Sequence, residues 1–156
     1  MSWVRRRLRQ DGFTIIELFV VIVILGVLAA IAIATYLLQR DRAARSSAIS
    51  SLRNTETVVE SIRGDTGVLG TTAAEYNADQ PAFNYVDDPE PSDEANEISV
   101  WNHPTDPIVV FAAYGGDFCF FLRVDDTVGT FRHREPVEGV PCLGSDFAVG
   151  DGAGWG

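Results

Sequence analysis

Glu17 is the chemically conspicuous residue of this chain. It follows Phe13, Ile15 and Ile16 and stands directly before Leu18 to Gln39, 22 residues without a charge. A carboxylate at membrane depth costs up to ~3 kcal/mol on insertion scales, so it has a partner, a task, or an escape to the interface. Cys119 and Cys142 enclose 22 intervening residues. Outside the cytoplasm they can form a disulfide, and the alternative is two separate buried thiols. Cys119 with His133 can be drawn as a nucleophile and its base, but a disulfide would remove the nucleophile. His103 precedes Pro104 in a loop-like stretch. Asp87-Asp88-Pro89-Glu90-Pro91-Ser92-Asp93-Glu94 offers oxygen ligands for calcium, yet it lacks the EF-hand spacing and central glycine, which favours a solvated acidic loop. Phosphate-binding glycine motifs and metal-ligand spacings are missing. The expectation is a protein that is not an enzyme and uses no cofactor and no metal.

The elements that position these residues follow from hydropathy and charge. The chain has 156 residues, 12 basic and 22 acidic, for a formal charge of -10. That balance argues against direct nucleic-acid binding, because a phosphate backbone attracts basic surfaces. Every basic residue is Arg, and Arg5, Arg6, Arg7 and Arg9 precede Asp11, so residues 1–12 carry +3 and residues 13–156 carry -13. The uncharged run matches the ~30 Å hydrocarbon core of a bilayer as a helix. It is apolar all round, unlike an amphipathic surface helix. Four arginines before the run and three just after it (Arg40, Arg42 and Arg45) favour a cytoplasmic N-terminus. A secretory signal peptide cut near Ala32-Ile33-Ala34 is the competing reading. Glu17 at the entrance and apolar Tyr36-Leu37-Leu38 beyond the cut both count against it.

Gly12-Phe13-Thr14-Ile15-Ile16-Glu17-Leu18, behind an Arg-rich head and before an Ile/Val/Leu run, resembles the processing site of type IV prepilins and pseudopilins. The resemblance implies that a prepilin peptidase cuts between Gly12 and Phe13 on the cytoplasmic face and methylates the new Phe13 amine. The mature chain would then have 144 residues, with Glu17 fifth. It further implies that Glu17 of one subunit neutralises the terminal amine of a neighbour and sets the register of a filament. Such a pair adds specificity more than net stability. A disulfide between Cys119 and Cys142 agrees with the C-terminal loop that many pilins close this way; such a loop contributes roughly 3 kcal/mol. Some pseudopilins bind calcium in a head loop. The family usually has proline where this chain has Ala34, so the helix is expected to continue. The stretch from Leu37-Leu38-Gln39-Arg40 through Ser51-Leu52-Arg53-Asn54 further resembles pilins of high-GC Gram-positive bacteria, and the Lys-free composition agrees with a GC-rich genome.

Gly26, Ala30 and Ala34 fall four apart on one face, a spacing that lets membrane helices pack closely. Beyond Arg40, the stripe Ala48, Leu52, Thr55, Val59 and Ile62 is amphipathic, with Gly64 as the expected C-cap. A helix from Phe13 to Arg63 would be ~75 Å long. Residues 64–97 read as a connecting loop. Strands are expected at 98–101, 108–114, 118–124 and 130–133, the last two joined across Asp125 to Gly129. The tail with Trp155 is expected to be irregular. The fold class is therefore α+β: a long N-terminal helix, membrane-spanning in its first half and amphipathic in its second, on an antiparallel sheet of three or four strands. The expected segments are 1–12 (cytoplasmic leader, removed), 13–39 (transmembrane and filament-core helix), 40–63 (amphipathic helix of the head) and 64–156 (extracellular head). The expected role is a filament subunit, a membrane precursor that ends in an extracellular or envelope filament. Its partners would be the prepilin peptidase, identical or related subunits, the inner-membrane assembly platform and the membrane. The alternatives are a pseudopilin of a type II secretion or DNA-uptake machine, a monomeric membrane-anchored surface protein, or a secreted domain.

Overall fold

The computed structural model describes residues 13–94, 96–136 and 142–147. The leader with Gly12, and the tail with Trp155, lie outside the described residues. Helix α1 covers Ile15–Thr66 without interruption. Contacts divide the chain into two units, Met1–Leu38 and Gln39–Gly156.

In the first unit α1 is apolar on every side, and its most hydrophobic window buries none of its residues within the chain. Large side chains such as Ile24, Leu28 and Ile33 stay more than half exposed. Among the described residues this is the one helix long and apolar enough to cross a membrane. At Thr35 the hydroxyl donates to the carbonyls of Ile31 and Ala32, at 3.2 and 3.0 Å. That hydroxyl is thereby satisfied inside the helix, without a proline.

The second unit is built around one sheet. Its strands are β1 (Asn84–Asp87), β2 (Glu97–Asn102), β3 (Ile108–Tyr114), β4 (Phe118–Asp125) and β5 (Gly129–Pro136), in that spatial order. The α+β class stands, with two corrections to the expected sheet. It has five strands rather than three or four, and β1 pairs parallel to β2 while the other pairings are antiparallel. The supposed loop 64–97 contains β1 and a short helix, α2 (Ala73–Asp79). Strand β1 has only four residues, too few for an alternating pattern to show. Its place is set by contact, since the Tyr85 hydroxyl meets that of Thr55 on α1 at 3.0 Å. Asn77 also brackets the Tyr85 backbone, donating to its carbonyl and accepting from its N–H.

The stripe on α1 buries Ala48, Leu52, Thr55 and Val59, with Ser51 and Val58 widening it and Ile62 packed at its margin. These side chains meet the inner face of the sheet: Ile98, Val100, Val109, Phe111, Phe120, Leu122 and Val124. The C-cap is Gly67 rather than Gly64. Gly67 adopts φ 78° and its N–H closes on the Arg63 carbonyl at 2.8 Å, whereas Gly64 lies inside the helix. A left-handed residue ends a helix, and glycine takes that conformation without a Cβ penalty.

The outer face of the sheet holds a second cluster of Ile108, Val110, Ala112, Cys119 and Phe121. It is covered by residues 142–147, whose Cys142 and Phe147 pack into it. Strand β3 is therefore buried on both faces, which explains its unbroken apolar sequence. The 142–147 segment is held at several points. Ser92 and Cys142 form an antiparallel bridge, and the Ser145 N–H and hydroxyl donate to Asp88. A Cβ on Gly144 would stand 2.7 Å from the Trp101 Cβ, so only glycine lets the segment lie this close.

Candidate assembly site

The start of α1 is organised by a reciprocal cap. Thr14 occupies the N-cap position and Glu17 the third helical position. Glu17 Oε2 accepts from the Thr14 N–H at 2.9 Å and from its hydroxyl at 2.6 Å, while the Glu17 N–H reaches Thr14 Oγ1 at 3.3 Å. This is a capping box, and it satisfies N–H groups that a helix start otherwise leaves orphaned. Thr14 was not among the expected site residues, although Thr-x-x-Glu before an apolar run is the sequence signature of such a cap. Phe13 is 77% exposed beside it. Phe13, Ile16, Glu17, Val20 and Val21 line a shallow open hollow of about 340 Å³. One carboxylate oxygen of Glu17 is thus committed to the cap, and Oε1 has no hydrogen-bond partner among the described residues. Phe13, Ile16, Val20 and Val21 around it are exposed apolar side chains.

Further along, Gly26, Ala30 and Ala34 are exposed within the chain, and Gly26 has nothing within 4 Å of where a Cβ would stand. Gly12 lies outside the described residues.

In the second unit Cys119 and Cys142 form a disulfide with 5.5 Å between their Cα atoms. Cys119 therefore carries no thiol to pair with His133. The His133 ring stacks on Phe147 at 4.7 Å between centroids, and its Nε2 lies 3.1 Å from Glu135. At His103, Nδ1 accepts from the Asp106 N–H at 3.0 Å, a local turn contact. The acidic stretch does structural work. Asp87 accepts from the Ala73 N–H at 2.7 Å at the start of α2, and Asp88 holds Ser145. Among the described residues no three His, Cys, Asp or Glu side chains converge for a metal ion.

Ion pairs join α1 to the sheet. Arg45 binds Asp117 on the β3–β4 turn, Arg63 reaches Asp126 at 2.6 Å, and Arg132 reaches Glu56 at 2.7 Å. The Arg45 guanidinium holds the Asp117 carboxyl below its ordinary range. Hydrogen bonds from Thr127, and then from Val128 and Arg123, do the same to Asp125 in the β4–β5 turn. Burial pushes the Tyr76 and Tyr85 phenols up.

An apolar helix with a capped carboxylate at its start, followed by a disulfide-closed sheet head, defines the class of protein. Residues 7–33 match the family model described as the prokaryotic N-terminal methylation motif. The chain belongs to the type IV pilin and pseudopilin family, whose members are structural subunits rather than enzymes. It is 30% identical over 99 residues to type II secretion system core protein G of Aeromonas hydrophila, covering 64% of this chain and 68% of that one. It is 31% identical over 144 residues to type IV major pilin protein PilA of Myxococcus xanthus (strain DK1622), covering 88% of this chain and 50% of that one. It is 43% identical over 60 residues to fimbrial protein EcpB of Eikenella corrodens, covering 38% of each. The chain thus spans half or less of the length of the latter two relatives. No solved structure matches it.

Proposed function

We propose that this chain is a structural subunit of a type IV pilus-like filament. It is made as a membrane-inserted precursor with a cytoplasmic N-terminus and an external head. The observation that carries this reading is the Glu17 carboxylate, capped on one oxygen only, at the start of a helix that is apolar on every side. A monomeric anchor would use that residue for the cap alone, which leaves the second carboxylate oxygen without a task. Prepilin peptidase removes residues 1–12 by cutting between Gly12 and Phe13 and methylates the Phe13 amine. Residues 13–39 leave the membrane as the filament core, where Glu17 neutralises the Phe13 amine of a neighbouring subunit. Gly26, Ala30 and Ala34 form the close-packing face between helices. Residues 40–63 and 64–156 make the head. The inner-membrane assembly platform moves subunits into the growing filament, and no direct nucleic-acid binding is expected.

A second reading, a pseudopilin of a type II secretion machine, is favoured by protein G of Aeromonas hydrophila, of which the chain covers 68%. DNA-uptake machines use subunits of the same design.

Mass and N-terminal sequence of the mature protein test the processing step. A chain starting at N-methyl-Phe13 supports it, while a start at Thr35 would instead mark a secreted domain. Electron microscopy of sheared surface material then tests polymerisation, and a processed protein found only as membrane monomers would sink it.

A further inference from the structure

The second unit has an open depression of about 460 Å³ where the loop after α1 meets α2. Half-buried Ile62 and buried Leu69 form its apolar floor, and exposed Val68, Asp65, Glu75 and Asp79 stand at its rim. Glu75 is committed to the N–H groups of Thr71 and Thr72. Asp65 and Asp79 are exposed and have no cationic partner among the described residues. Between Arg63 and Arg123 the chain has no Lys or Arg at all, and the C-terminal end of α1 adds its own partial negative charge. Val68 is 62% exposed at this rim. An apolar floor under an acidic rim fits an aliphatic side chain standing next to a guanidinium.

That pairing exists on this chain. Leu38 and Arg42 are four residues apart on α1 and so share one ridge. Leu38 is 60% exposed, and Arg42 is exposed with no acidic partner among the described residues. We propose that in the filament the Leu38–Arg42 ridge of one copy seats in the Asp65/Asp79 depression of a second copy. Leu38 lies against Val68 and Ile62, and the guanidinium lies between the two carboxylates. This inference rests on the polymer reading above and deepens it by naming a contact between the helix of one copy and the head of another. A contact between unlike faces of identical chains builds an open helix where its rotation does not close into a ring, and that is the symmetry a filament needs. Arg42 and Asp65 are 23 positions apart on one helix. At ~1.5 Å per residue the contacting copies are offset by about 35 Å along the helix axis.

Cysteine trapping in filaments of the full chain tests the contact. Sheared filaments carrying Leu38→Cys with Val68→Cys are oxidised and run without reductant. A ladder of covalent multimers is expected, with monomers only from Leu38→Cys with Val128→Cys, since Val128 is exposed on the β4–β5 turn. Filaments that give monomers from the first pair, or equal ladders from both, overturn this contact and leave the filament reading standing. If the cysteine pair blocks assembly, charge exchange decides. Arg42→Glu should lower filament yield roughly tenfold or more. Asp65→Arg with Asp79→Arg in the same chain should restore it, and an Arg42→Glu strain with wild-type yield overturns the proposal. A wild-type strain that makes no filaments removes the polymer reading and this contact together.

Discussion

The Glu17 carboxylate accepts from both the N–H and the hydroxyl of Thr14, at 2.9 and 2.6 Å, and so caps its own helix before it meets any other subunit. The same side chain therefore has two tasks that separate by mutation. Thr14→Ala removes the hydroxyl and should cost about 1 kcal/mol at the helix start, while the carboxylate remains for a neighbouring amine. Glu17→Val removes both tasks. The expected outcome is near-normal processing in both variants, modestly reduced filaments for Thr14→Ala and strongly impaired assembly for Glu17→Val. Immunoblots of precursor and mature forms, with microscopy of filaments, check it; normal filaments from Glu17→Val would refute the assigned role.

The disulfide ties β4 to the segment that covers the outer face of the sheet. Cys119→Ser should destabilise the head by roughly 2–4 kcal/mol. The loss should appear as a lower melting temperature and earlier proteolysis of the C-terminal segment. A thiol assay on unreduced wild-type protein should find no free thiol.

Gly144 sits where a Cβ would meet the Trp101 Cβ at 2.7 Å and the Val110 carbonyl oxygen at 2.9 Å. Gly144→Ala should therefore displace the covering segment and cost about 1–3 kcal/mol, as overpacking does. Gly26→Ala, with open space around it, should leave head stability unchanged. Thermal melts of the two purified variants make the comparison.

Acid should weaken the head through Asp125. Its carboxyl is held low by Thr127, Val128 and Arg123, and the residue is only 6% exposed. A depressed folded-state pKa stabilises above the unfolded value of about 3.9, and that stabilisation is lost as pH falls through the lower folded value. Asp117, held down by Arg45, acts in the same direction. Asp125→Asn keeps an acceptor for Thr127 but cannot ionise. The stability gap between wild type and Asp125→Asn should be widest above about pH 4 and close at lower pH. Equilibrium unfolding across that range measures it, and a gap that widens in acid would contradict the assignment.

Parts of the molecule that are long and periodic could be read from the chain itself. The apolar run, the stripe from Ala48 to Val59, and strands β3 and β4 each repeat one simple pattern over many residues. The pieces that escaped are short and depend on distant partners. Strand β1 is placed by Tyr85 reaching Thr55, and the covering segment by Ser145 reaching Asp88 across 57 positions. No local pattern encodes such pairs. Helix α2 is a different case, because Thr72 and Glu75 stand in the capping positions and are a local signal in the sequence. Gly64 is the first glycine after the stripe, but Gly67, three residues on, has the left-handed backbone that ends the helix. At the assembly site Glu17 stood out by its charge, whereas Thr14, polar and ordinary, did not.

The covalent tie and the helix lie on opposite faces of the sheet. The Cys119–Cys142 bond belongs to the outer cluster, whereas α1 is attached to the inner face by packing and by Arg45, Glu56 and Arg63. Tension applied along α1 would therefore run through non-covalent contacts and bypass the cross-link. Such a load would peel the helix from the sheet before it strained the bond between the cysteines. Mechanical strength along that path would then depend on the inner face, and chemical reduction would weaken a different part of the molecule.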